Sequence, residues 1–144
     1  MDLSEYRRRL LGLPVLSALP GPVRERVAMC LLWVGRPAHF AVGDTVFVQG
    51  NEDENTGCAL LEGEVEVLRD HQDPVRVQSP DLLGEMQQLE PTAQRTATVQ
   101  VTAEADALLF AWHDFVGYSG MLLNSDEQIL LRDAVRAAAT QRQG

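Results

Sequence analysis

From Phe40 to Ala111 the apolar residues of this chain recur with a period of two, broken by glycines at positions 43, 50, 57 and 63. A period of two puts successive side chains on opposite faces of a strand. The pattern predicts strands over 45–49, 58–61, 64–69, 75–78, 96–102 and 107–111, with an acidic turn at 50–57 and with Val65 and Val67 on one face. Many short strands with Gly at the turns restrict the fold to an antiparallel barrel or jelly roll. The flanks read as helices. Residues 3–12 form a short arm ending at Gly12, with Pro14 just beyond. A second helix starts at Pro20, Gly21 and Pro22, carries Val23, Val27, Cys30 or Leu31, and Val34 at helical spacing, and stops at Gly35 and Pro37. The segment 125–141 opens with Ser125 as its cap and Asp126 and Glu127 in its first turn, and sets Leu130, Leu131, Ala134, Val135 and Ala138 on one face. That stripe predicts packing on the barrel or against a second copy. The expected class is α+β, mainly β: a double-stranded antiparallel β-helix, or jelly roll, flanked by N-terminal helices and a C-terminal helix. One domain over 1–144 is expected, with helices in 1–37, the barrel in 38–112 and helices in 113–144.

Charge and composition remove several function classes. The 144 residues carry 21 acidic and 12 basic side chains, every basic one Arg, for a net charge of -9. A surface of that sign repels nucleic acid, and no helix-turn-helix fits after the last helix, so direct DNA binding is not expected. Cys30 and Cys58 lack a CxxC pattern and read as buried thiols. No apolar run is long enough for a signal peptide or a membrane span, which predicts a cytoplasmic location and no membrane partner. His39, His71 and His113 show no metal-ligand spacing and read as exposed or locally bonded. Glu52, Asp53 and Glu54 read as a solvated loop, and Arg7 to Arg9 as a solvated face or a contact to the acidic body. Trp33 and Trp112 lie in apolar surroundings and are expected in the core. No nucleophile and base share a local pattern, so no enzymatic activity is expected.

The stretch 81–101, DLLGEMQQLEPTAQRTATVQV, interrupts the strands with Gly84 and Glu85, a helical segment from Met86 to Glu90, a turn at Pro91, and Arg95 and Thr96 entering a strand. A helix start offers free N–H groups and a positive dipole end, which together favour an anion. Gly84 permits close backbone approach, and the Arg95 guanidinium supplies a fork of donors. Glu85 repels an anion unless it accepts from ligand hydroxyls, so the combination favours a ligand with both an anion and a sugar diol.

The segment LLGEMQQLEPTAQRTATV resembles the phosphate-binding cassette of cyclic nucleotide-binding domains, the sensor domains of catabolite activator proteins and protein kinase A regulatory subunits. VGDTVFVQGNEDENTGCALLEGEVEVL upstream is similar to that family's glycine-punctuated strands, and the resemblance covers about 14–131. It implies that Glu85 accepts the ribose 2′-hydroxyl and that Arg95 grips the cyclic phosphate. Backbone N–H groups of Met86 and Gln87 and the Thr96 hydroxyl complete the cradle, with Gly84 and Ala97 at its ends. The implied ligand is cAMP or cGMP, with no other cofactor and no metal. The implied role is a sensor that signals through its C-terminal helix, by a homodimer through 125–141 or to a protein effector. Gln87 and Gln88 depart from the family's small and apolar residues, and Gly57 and Cys58 stand where larger apolar ones are common. The alternative is a degenerate domain acting as a dimerisation or interaction module without nucleotide.

Overall fold

The computed structural model describes residues 1–48, 55–84 and 97–143, with the side chains of the last helix described as far as residue 138. In chain order the described elements are α1 (Leu3–Leu11), α2 (Pro14–Ser17), α3 (Gly21–Val34), β1 (Arg36–Phe40), β2 (Thr45–Phe47), β3 (Thr56–Leu68), β4 (Val75–Gln78), β5 (Asp81–Leu83), β6 (Thr98–Ala111), α4 (Trp112–Leu122) and α5 (Ser125–Gln143). The architecture is α+β, with the strands joined antiparallel.

Two long strands organise the barrel. β6 pairs with β3 from Thr98 to Ala111, while its other edge takes β1 through Ala105 to Leu109 and β2 through Val99 and Gln100. β3 likewise takes β5 at Cys58 to Leu60 and β4 at Glu64 to Val67. Both long strands therefore run through both halves of the barrel. The sequence reading split each of them in two, and this is corrected. Gly63, expected in a turn, lies within β3 where the register to β6 slips. It adopts φ +100, and a Cβ there would meet the Glu104 carbonyl at 2.4 Å. The residue thus bends the strand at a bulge without ending it. Gly43 does occupy a turn, at φ +94, with its N–H on the Val101 carbonyl. Gly57 is a strand residue, and Gly50 lies outside the described residues, as does most of the expected acidic turn. β1 was not expected, because Pro37 and the polar residues around it hide the strand. Among the described residues β1 bonds only to β6, and an edge position tolerates proline.

The run Gly57 to Leu61 is buried on both faces. Cys58 and Leu60 face the barrel interior with Phe47, Val65, Leu83, Ala97 and Val101. Ala59 and Leu61 face a second cluster with Leu10, Leu13, Leu16, Val27 and Leu31 of the N-terminal helices and with Trp112 and Phe115. Truncating one of these buried leucines to Ala costs about 2–5 kcal/mol. α3 buries Val23, Val27 and both Cys30 and Leu31, as its spacing predicts. Trp33 is a correction: it is 73% exposed and stacks on Tyr118 with ring centroids 6.0 Å apart. α3 is apolar on several sides, so composition does not reveal which side faces water. Trp112 is 1% exposed, as expected.

Polar side chains tie the helices together. The Arg24 guanidinium donates to the carbonyls of Leu16, Ser17 and Leu19, closing the C-terminal end of α2. The Arg7 to Arg9 run contacts the acidic body: Arg7 meets Glu25, and Arg9 meets Glu5 and Glu62. The cap of α5 is Asn124 and not Ser125. The Asn124 side chain accepts from the Glu127 N–H at 2.9 Å, and the Glu127 carboxylate accepts from the Asn124 N–H at 2.9 Å. Leu131 and Val135 of α5 are buried in the helical cluster, whereas Leu130, expected beside them, is exposed. No described helix is long and apolar enough to cross a membrane.

Candidate functional site

The expected anion site lies between β5 and β6, and its two ends are described. Leu83, the last residue of β5, and Ala97, next to β6, belong to the same cluster inside the barrel. Gly84 follows Leu83 with φ +88, a left-handed conformation that glycine adopts without strain. Its carbonyl accepts from the indole Nε1–H of Trp112 at 3.2 Å. The segment 85–96 is thus bounded by two points on the barrel wall. Glu85, Met86, Gln87, Gln88, Arg95 and Thr96 lie outside the described residues, as does the helical segment expected from Met86 to Glu90.

The described wall is apolar. Phe47, Cys58, Leu60, Val65, Leu83, Ala97, Val99 and Val101 contribute no charge to the interior. Described arginines around the molecule are mostly engaged elsewhere: Arg7, Arg8 and Arg9 with carboxylates, Arg24 with carbonyls, Arg26 with Glu127 and Arg76 with Glu64. The two thiols offer no nucleophile. Burial pushes the Cys58 thiol up to about 12 and the Cys30 thiol up to about 11, because the thiolate loses its hydration.

Other polar groups stand on the barrel exterior. His39 on β1 contacts Asp106 at 2.8 Å through Nδ1 and Glu104 at 2.7 Å through Nε2. The Asp106 hydrogen bond foremost, with Glu104 beside it, raises its pKa above the usual imidazole value. On the other long strand, Glu64 accepts from Gln78 at 3.1 Å and from Thr102 at 2.8 Å, and these bonds hold its carboxyl below the usual range. His71 and His113 are exposed.

Two depressions missed by the sequence reading flank α4, the first of them mainly apolar. One, of about 490 Å³, lies between α4 and α5 and is floored by Trp112, Phe115, Leu131 and Val135. The other, also about 490 Å³, is of mixed character, lined by Trp33, Tyr118 and Met121 together with His113 and Asp114.

No family model matches the sequence, and no curated protein matches it. Solved structures do match. A candidate cyclic nucleotide-binding protein from Geobacter metallireducens GS-15 is 19% identical with a TM-score of 0.71, the match covering 100% of both chains. The Thermus thermophilus catabolite activator protein is 18% identical with a TM-score of 0.68, over 90% of this chain and 58% of that one. The regulatory domain of Toxoplasma gondii protein kinase A, solved with cAMP, is 20% identical with a TM-score of 0.66, over 92% of this chain and 49% of that one. This chain thus spans about half the length of the Toxoplasma regulatory-domain chain. It has the fold of the cyclic nucleotide-binding domains. These neighbours are regulatory or binding domains and not enzymes.

Proposed function

We propose that this chain is a single-domain, non-enzymatic cytoplasmic sensor that binds cAMP or cGMP at the cassette 81–101. Glu85 accepts the ribose 2′-hydroxyl and Arg95 grips the cyclic phosphate. The N–H groups of Met86 and Gln87 and the Thr96 hydroxyl complete the cradle, between Gly84 and Ala97. The observation that supports this reading is the return of both cassette ends, through Leu83 and Ala97, to one apolar barrel interior, in a fold shared with a regulatory domain solved with cAMP. Ligand affinity that differs between two positions of α5 passes the signal on, to a protein effector or a second copy. Leu131 and Val135 are buried within the chain, so a homodimer through 125–141 would use Ile129 and Leu130, which are exposed.

Calorimetry against cAMP and cGMP tests the reading, with adenosine and guanosine as controls that lack the phosphate. One cyclic nucleotide binds and raises the melting temperature, and Arg95→Ala removes the binding with the fold intact. Silence from both cyclic nucleotides on the folded protein refutes the reading and leaves the nucleotide-free interaction module.

A further inference from the structure

The depression between α4 and α5 is held in shape by side chains at its closed end. α5 packs against α2, and the turn at which it leaves α4 is pinned. Asn124 and Glu127 bond each other reciprocally, Gln128 donates to the Leu123 carbonyl at 2.9 Å, and Glu127 pairs with Arg26 of α3. The two helices diverge from this turn and leave a groove of about 490 Å³, a volume within the range of small-molecule sites.

The lining is apolar below and positive at the rim. Trp112, Phe115, Leu131 and Val135 form a floor that belongs to the helical core, and Val116 and Ile129 stand exposed along the edges. Two polar residues of the lining are bonded within the chain: Ser119 donates to the Val116 carbonyl and Gln128 to that of Leu123. Arg132 is the one charged residue among those described in the lining. It has no carboxylate partner among the described residues, whereas Arg7, Arg8, Arg9, Arg26 and Arg76 each have one. On a chain of net charge -9, a free guanidinium beside an apolar groove suits an anion with an apolar body.

We infer that this groove binds an aliphatic carboxylate, its hydrocarbon tail on Trp112, Phe115, Leu131 and Val135 and its carboxylate on the Arg132 guanidinium. The volume suits a tail of medium length, and one guanidinium matches one carboxylate. None of these residues lies in 81–101, so the inference stands or falls apart from the nucleotide reading.

Trp112 reports on its own groove. The chain has two tryptophans, so Trp33→Phe leaves Trp112 as the sole indole fluorophore. Hexanoate, octanoate and decanoate, each kept below its aggregation concentration, change Trp112 emission in this variant and bind at one site per chain in calorimetry. Affinity rises about fourfold for each added methylene. Arg132→Gln weakens octanoate about fivefold, the scale of an exposed ion pair, and leaves 1-octanol, which lacks the charge, unaffected. Ile129→Asp, at an exposed position, keeps the melting temperature and abolishes carboxylate binding. Unchanged Trp112 emission, equal losses for octanoate and 1-octanol in Arg132→Gln, or octanoate binding that survives Ile129→Asp overturns the inference. So does a dimer in sedimentation equilibrium that Ile129→Asp dissociates, because a second copy then covers the groove.

Discussion

Gly57 on β3 lies opposite Phe110 on β6, and a Cβ on Gly57 would stand 2.4 Å from Phe110 Cζ. The ring lies over the bare backbone and reaches the helical cluster, where it meets Trp112 and Phe115. A larger apolar residue, common at this position in the family that the sequence resembles, would need a different partner across the ladder. Gly57→Ala is expected to lower stability by about 1–3 kcal/mol through overpacking. Adding Phe110→Leu to Gly57→Ala costs less than the two single changes summed, a coupling that a denaturation cycle of the four proteins measures.

The thiols give a second test. Desolvation holds Cys30 near about 11 and Cys58 near about 12, so at pH 8 almost none of either is thiolate in the folded chain. A thiol-reactive chromophore at pH 8 labels neither residue in the native protein and labels both after denaturation. Rapid native labelling of Cys58 would contradict its place inside the barrel.

His39 makes part of the β1–β6 pairing sensitive to pH. Its folded pKa lies above the unfolded value through Asp106 and then Glu104. The stabilisation is therefore complete below the unfolded imidazole value of about 6.5 and is lost as pH rises through the folded value. Asp106 also faces Glu62 of β3 across the ladder, and Glu62 in turn meets Arg9. An NMR titration finds the His39 midpoint raised, and His39→Gln flattens the stability profile over this window. Glu64 runs the other way. Its contribution is present above the unfolded carboxyl value and fades as pH falls through the folded one.

Glu127 is expected to matter more than its place on a helix surface suggests. One oxygen closes the capping box with Asn124, and the other pairs with Arg26 of α3. Glu127→Ala leaves the Asn124 side chain on the backbone N–H of residue 127 but removes the acceptor of the Asn124 N–H and the tie to Arg26. We expect a loss of about 1 kcal/mol from the hydrogen bond to the Asn124 N–H, read as a shift in the chemical denaturation midpoint. Ser125→Ala leaves that midpoint nearly unchanged.

The alternating pattern made the barrel legible, together with the helix from Gly21 and the stripe of Leu131 and Val135. Strand continuity was not. Glu62 and Gly63, and the polar stretch from Ala103 to Asp106, look like turns in the sequence, yet both lie inside ladders where a bulge absorbs the extra residues. A bulge and a turn use the same residue types and differ only in what pairs beyond them. β5 and α2 are too short for periodicity to show, at 3 and 4 residues. For the candidate site, the resemblance supplied the proposed residue roles, while the structure describes only the two ends, Gly84 and Ala97. The Trp112 bond to Gly84 joins residues 28 apart, which no local pattern reveals.

The sharing of β3 and β6 between both halves of the barrel bears on how the molecule comes apart. Among the described residues neither half has strands enough of its own, so the two halves are expected to melt together. A cut inside either long strand severs both halves, whereas new chain ends in the exposed connection at 70–74, between β3 and β4, leave both intact. The shared strands thus predict that the barrel unfolds as one cooperative unit.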